Sequence, residues 1–210
     1  MRSNSCLTLS STNKFEPWLR GCAAVLVFCL LFFRESKVYD IPTAVSFALG
    51  LACMARGMWR EYVWVFILGC VNRETMALLT LVFAVYFFRR MGRGVWLGGI
   101  ALQALIWVLV RIQVMVWFAA RDGVEFLYLP LENVAAFMRV PWQGAVHWAG
   151  FALVIWLCLR HWQRKPALLR TAFAVLMPAL LVFYLVLGVA FEVRVFAEVF
   201  PVVWVLAFSD

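Results

Sequence analysis

Arg73 and Glu74 stand in a polar run, Asn72-Arg73-Glu74-Thr75, between the otherwise apolar stretches 62–71 and 76–88. Arg111 sits within a further apolar stretch, and Glu192, Arg194 and Glu198 open the last one. If these stretches lie in lipid, each charge costs about 2.5–3.5 kcal/mol to insert, so each needs a partner or a water-filled cavity. Neighbouring side chains on a helix point away from each other, which prevents Arg73 and Glu74 from pairing together. Arg194 and Glu198 are four apart and can face one another, and Pro201 ends or kinks that helix. The simplest closed arrangement pairs Arg73 with Glu198 or Glu192, and Glu74 with Arg194 or Arg111.

Carboxylates set among arginines suit two kinds of work. A carboxylate can take a proton from a hydroxyl, and the planar, permanently charged guanidinium can grip two phosphate oxygens. The candidate catalytic residues are therefore Glu74, Glu198 and Asp40, and the candidate substrate-binding residues are Asn72, Arg73, Thr75, Arg111, Glu192 and Arg194. Asp40 and Glu35 belong to a short loop, where a carboxylate could act as a base or hold a divalent metal attached to a pyrophosphate; no other cofactor is expected. Their plainer reading is as solvated loop charges. A buried ion-pair network that locks helix register explains the whole set without any reaction. The cysteines Cys6, Cys22, Cys29, Cys53, Cys70 and Cys158 show no paired spacing and read as small hydrophobes. Cys158 and His161 are one turn apart but read as a buried thiol and an interfacial imidazole rather than a metal site.

The elements that must position these residues follow from composition. Of 210 residues, 66% are apolar or aromatic and 14% are charged, against about 45–50% and about 25% in soluble domains. The runs approach the roughly 17–25 residues that span a bilayer, and they are continuously apolar rather than alternating, so helices rather than barrel strands are expected. The fold class is an all-α polytopic transmembrane bundle of about six to eight segments, read at 18–34, 41–56, 62–88, 95–118, 144–160, 171–191 and 195–208. Residues 1–17 form a polar tail and 18–210 a single integral membrane domain. The run after Lys14 and Arg20 has no small-x-small cleavage site and reads as a retained first span.

Segment 62–88 has two readings. As one helix its 27 residues would run about 40 Å with a polar break in the middle; as a hairpin it would enter and return. Basic residues of short loops collect on the cytoplasmic side. The hairpin gathers Arg2, Lys14, Arg20, Arg56, Arg60, Arg89, Arg90, Arg93, Arg160, Arg164, Lys165 and Arg170 there, leaving Arg34, Lys37, Arg121, Arg139 and Arg194 outside. The single crossing splits these clusters, so the charge bias favours the hairpin. Trp18, Trp59, Trp96 and Trp162 then flank the inner ends, and Trp117, Trp142 and Trp148 the outer loop. In that loop Leu131, Val134, Ala135 and Met138 follow helical spacing and suit a short helix in the interface. The location expected is a bacterial inner membrane, crossed several times.

The net charge of +8 does not indicate nucleic acid, because the basic residues lie in short clusters between apolar runs. P-loop, GxGxxG, HExxH, GxSxG and DxD patterns are all missing, so a lipid-borne substrate is expected of any enzymatic activity.

Asn72-Arg73-Glu74-Thr75, followed by Glu192-Val-Arg194-Val-Phe196-Ala-Glu198-Val-Phe-Pro201, resembles a group of bacterial polytopic membrane proteins of uncertain function. Those proteins pair an N-R-E-T element with an E-x-R-x-F-x-E-x-x-P element at the last span, and the likeness covers residues 38–205. More remotely the layout is similar to the membrane halves of GT-C glycosyltransferases, which use an acidic residue in the first outer loop; Asp40 or Glu35 stands in that place. This resemblance implies an enzyme of envelope polysaccharide or glycolipid assembly. In it Glu74, Glu198 and Asp40 would act on a polyprenyl-phosphate-linked sugar while Arg73 and Arg194 hold the phosphates. A non-catalytic subunit bound to other membrane proteins, and a small transporter built on a discontinuous helix, are the other two readings.

Overall fold

Asp40 opens the first described helix of the computed structural model, which describes residues 40–119, 141–187, 196 and 198–208. The tail 1–17, the span 18–34, Glu35, most of the loop with its interfacial helix, the end of the run 171–191, Glu192 and Arg194 lie outside the described residues. Seven α-helices and no strand occur among those described: α1 Asp40–Arg56, α2 Trp59–Asn72, α3 Ala77–Phe87, α4 Arg93–Phe118, α5 Pro141–Leu159, α6 Ala167–Leu187 and α7 Phe200–Phe208. All belong to one unit, Ser36–Asp210.

Helix α1 carries Asp40 in its first turn and Arg56 in its last, each complementing the helix dipole. It stops at Gly57, whose φ of 69° is open to glycine without steric cost. The Met58 amide bonds back to the Cys53 carbonyl at 2.9 Å and the Gly57 amide to Met54 at 3.3 Å, the double closure of a Schellman motif. That turn folds α2 back onto α1. Phe47, Gly50, Leu51 and Met54 of one helix and Tyr62, Phe66, Gly69 and Cys70 of the other are buried at helical spacing.

The interrupted segment is a hairpin of two short arms. Arg73 is fully extended at φ −154°, ψ 141°, and a 3-10 turn, Glu74–Met76, starts the return arm α3. The arms meet again at their far ends, where the Trp59 ring lies 5.9 Å from Phe83 and 5.3 Å from Phe87. In one continuous helix these rings would be separated by nearly the whole segment. Helix α4 then runs antiparallel to α3: the Trp96 indole donates to the Ala84 carbonyl near its start, and the Trp107 indole to the Glu74 carbonyl further along.

Helix α3 packs on α4 and α6, while α7 packs on α1, α5 and α6. The core lies between them, with Phe47, Phe66, Met76, Leu79, Leu176, Leu180, Val202 and Leu206 fully enclosed. Lys165, in the connection from α5 to α6, donates to the Leu206 carbonyl in the last turn of α7. Two helices are long and apolar enough to cross a membrane, residues 93–118 and 167–184; Glu74–Phe87 and Trp148–Leu159 are shorter apolar helices. Only 6% of the apolar window of α4 is buried. Val95, Leu102, Leu105, Leu109, Ile112, Met115 and Trp117 all point outward from it, which is not how the core helix of a soluble protein is placed.

Candidate functional site

Four helix ends converge at the end of the bundle opposite the turns at Gly57 and Met91: the start of α1, the end of α2, the 3-10 entry to α3 and the approach to α7. Each contributes polar side chains. Asp40 lies in the first turn of α1 with Thr43 one turn later on the same face, and both are fully buried. Asn72 is the last residue of α2, and Arg73 the extended residue after it. Thr75 lies in the 3-10 turn, and Glu198, also fully buried, precedes the first residue of α7 by two. The charges match the dipoles of these ends, carboxylates at helix N-termini and a guanidinium at a C-terminus.

Arg73 joins the group. Its Nη1 lies 3.2 Å from Asp40 Oδ1 and 3.2 Å from Glu198 Oε1. The Thr75 hydroxyl donates to the same Glu198 oxygen at 2.8 Å, and Asn72 Nδ2 donates to the Thr43 hydroxyl at 2.7 Å. Glu198 Oε2 is buried and has no hydrogen-bond partner among the described residues. One guanidinium is thus shared by two carboxylates, and one carboxylate oxygen stays unmatched. Polar atoms orphaned in this way are uncommon in native interiors and call for an explanation.

Because Arg73 is extended, Glu74 turns the other way, toward α4. Its Oε2 accepts from Arg111 Nη2 at 2.5 Å, while its backbone carbonyl accepts from the Trp107 indole at 2.9 Å. Trp107 and Arg111 are four apart and present both groups on one face of α4. Glu74 is 69% exposed and Arg111 18% exposed at the side chain, so this pair is the open edge of the site and the Asp40–Arg73–Glu198 group its closed interior.

The structure joins Arg73 to Glu198 and Glu74 to Arg111, both among the pairings expected from sequence. Asp40 departs from its plainer reading as a solvated loop charge: it is helical, buried and bonded to Arg73. Glu192 and Arg194 lie outside the described residues. Thr43 was missed, although its spacing of three from Asp40 places it on the same helix face. Also missed was the buried link from the Tyr62 hydroxyl to Gln103 Oε1 at 2.6 Å, for which the signal was a lone amide in the apolar run 95–110. Cys158 is buried with its thiol toward the Val203 carbonyl, while His161, at φ 54°, ends α5 at the surface. No group of three or more His, Cys, Asp or Glu able to hold a metal occurs among the described residues.

The basic residues gather at the other end. Arg56, Arg60, Arg89, Arg90, Arg93, Arg160 and Arg164 are exposed there, around the turns that join α1 to α2, α3 to α4 and α5 to α6. Trp59, Trp96 and Trp162 lie at the same end. The chain matches no protein-family model, no curated protein and no solved structure.

Proposed function

We propose that this chain crosses a bacterial inner membrane several times and that the Asp40–Arg73–Glu198 group, with the Glu74–Arg111 pair at its edge, acts on a polyprenyl-phosphate-linked sugar. The outward-facing apolar surface of α4 and the segregation of exposed arginines to one end support the membrane reading. With the arginine end cytoplasmic, the arms α2 and α3 set the depth of the site. Fourteen residues of α2 rise about 21 Å, short of the roughly 30 Å hydrocarbon core. The polar break then lies recessed below the outer surface, within reach of a lipid-borne phosphosugar from that side. In this reading Glu198, held by Arg73 and Asp40, takes the proton of the accepting hydroxyl as that oxygen bonds to the sugar's anomeric carbon and the sugar–phosphate bond breaks, and Arg111 meets the departing polyprenyl phosphate once Glu74 yields.

The observation that carries the reading is the unmatched oxygen of Glu198. A purely structural lock gains most when both oxygens are bonded, and burying a carboxylate oxygen without a hydrogen bond costs stability. Perturbed, under-satisfied groups of this kind cluster at sites of chemistry. A second reading, a non-catalytic subunit held together by these charges, is favoured by the complete burial of Asp40 and Glu198.

The test is the surface polysaccharide and lipid-linked sugar profile of a strain lacking the chain, complemented with wild type or with Glu198→Gln at matched membrane levels. An altered profile restored by wild type but not by Glu198→Gln is the expected result. An unchanged profile on deletion, while the protein is being made, would set the enzyme reading aside.

A further inference from the structure

Arg111 is held at one nitrogen where its side chain offers a pair. In a guanidinium the Nε and Nη2 hydrogens point the same way and form a fork for two oxygens. Nη2 donates to Glu74 Oε2 at 2.5 Å, while Nε is buried and has no hydrogen-bond partner among the described residues. Glu74 thus fills half of the fork. Its main chain is tied from the other side, where the Trp107 indole, one turn before Arg111 on α4, donates to the Glu74 carbonyl at 2.9 Å. A buried donor left open in this way costs stability and calls for an explanation.

The two partners differ in how firmly they are placed. Arg111 is mostly enclosed and Glu74 largely exposed, so the carboxylate can swing into solvent at little cost while the guanidinium stays. That swing leaves the interior of the site intact, because Trp107 keeps the Glu74 main chain and the Thr75 hydroxyl stays on Glu198. The vacated fork then offers two parallel N–H groups, the geometry that grips two oxygens of a phosphate.

The place of Arg111 along α4 indicates which phosphate. From Arg93 to Arg111 the helix is unbroken and rises about 27 Å. With the arginine end at one face of a hydrocarbon core about 30 Å thick, the guanidinium comes close to the opposite headgroups. Val108 and Met115, three before and four after Arg111 on the same face of α4, are both exposed. An anion that reaches the fork therefore meets hydrocarbon beside the charge, which suits a phosphate carried on a lipid.

We infer that the Nε–Nη2 edge of Arg111 binds a lipid phosphate and that Glu74 is its built-in competitor, occupying the fork until the ligand arrives. The inference rests on the membrane reading proposed above and deepens its phosphate step, giving Glu74 the part of a latch rather than of a base. It also fixes a sign. Neutralising Glu74 strengthens binding, whereas a Glu74 that itself holds the ligand, or only braces the helices, would leave binding weaker or unchanged.

The test is the binding of farnesyl phosphate to the full chain in detergent, followed by microscale thermophoresis, with farnesol and inorganic phosphate as controls. Wild type is expected to bind farnesyl phosphate more tightly than either control. Glu74→Gln should bind it about two- to fivefold tighter, the gain from removing the competition of an exposed ion pair. Arg111→Gln should bind it about tenfold or more weakly, and Arg111→Lys, which keeps the charge without the fork, should lose most of the affinity at an unchanged melting temperature. A Glu74→Gln protein that binds no tighter than wild type overturns the inference, as does binding of farnesol or inorganic phosphate equal to that of farnesyl phosphate. Because no turnover is measured, tighter binding by Glu74→Gln sustains the inference even where deletion of the chain leaves the surface sugars unchanged; that pair of results sets aside the sugar chemistry alone.

Discussion

Arg73 is the residue on which the buried group depends. Replacing it with alanine would remove the guanidinium that bridges the enclosed Asp40 and Glu198, and breaking a buried ion pair from one side costs about 3–5 kcal/mol. Arg73→Ala should therefore lower the midpoint of thermal unfolding in detergent by a large margin, and the further changes Asp40→Asn and Glu198→Gln should restore much of it. Glu198→Gln alone behaves differently. The amide oxygen can still accept from Thr75, and the buried carboxylate oxygen that has no hydrogen-bond partner is removed. Its stability should match or exceed wild type while, on the proposed function, it fails to restore the lipid-linked sugar profile of the deletion strain. A Glu198→Gln protein that unfolds earlier than wild type would favour a structural role for the carboxylate. The Glu74–Arg111 pair lies at the other energetic limit: with Glu74 largely exposed, Glu74→Gln should change stability by no more than about 1 kcal/mol.

At the scale of elements, Gly57 and the glycine pair on α4 give separable tests. Gly57 has a positive φ but open space around its position, so Gly57→Val isolates backbone strain of about 1–2 kcal/mol and should lower the unfolding midpoint, with Gly57→Asn losing less. Gly98 and Gly99 are consecutive yet face different surroundings. A Cβ at Gly99 falls 2.8 Å from the Phe83 ring, which is held between α3 and α4. Gly99→Val should wedge those helices apart and destabilise, while Gly98→Val should be nearly neutral in the same assay. The positions of the helices could be read from the sequence because their apolar runs are long and bounded by charges. The hairpin at Arg73 could be read because only that path gathers the arginine clusters together. Arg73 with Glu198 and Glu74 with Arg111 were accessible for a related reason, since charges in apolar surroundings have few partners to choose from. Asp40 was not. It stands close to Glu35 and Lys37 in a polar stretch, and nothing local indicates that a helix begins at it and aims its side chain at a residue more than thirty positions away. Tyr62 with Gln103 was hidden because neutral polar residues carry no sign with which to be matched.

At the scale of the whole molecule the proposed membrane reading turns on how the two chemically distinct ends would sit across a bilayer. The described helices place the α1–α2, α3–α4 and α5–α6 turns together at the arginine end, and the end of α4 at Ala119 away from it. On the proposed membrane reading the arginine end is cytoplasmic, by the bias of lysine and arginine toward short inner loops. In a background with the native cysteines replaced, Arg56→Cys, Arg90→Cys and Arg164→Cys should all resist a membrane-impermeant thiol reagent in intact cells and react after the membrane is opened, whereas Ala119→Cys should react from outside. The comparison between positions 56 and 90 decides the matter most sharply. If segment 62–88 crossed once, these two sites would lie on opposite sides and only one would be protected. Labelling of both from the same side preserves the hairpin, and with it the proposed recess of Asp40, Arg73 and Glu198 below the outer surface. Labelling from opposite sides would turn the break at Arg73 into a mid-membrane interruption and deny the site its approach from a lipid-borne substrate.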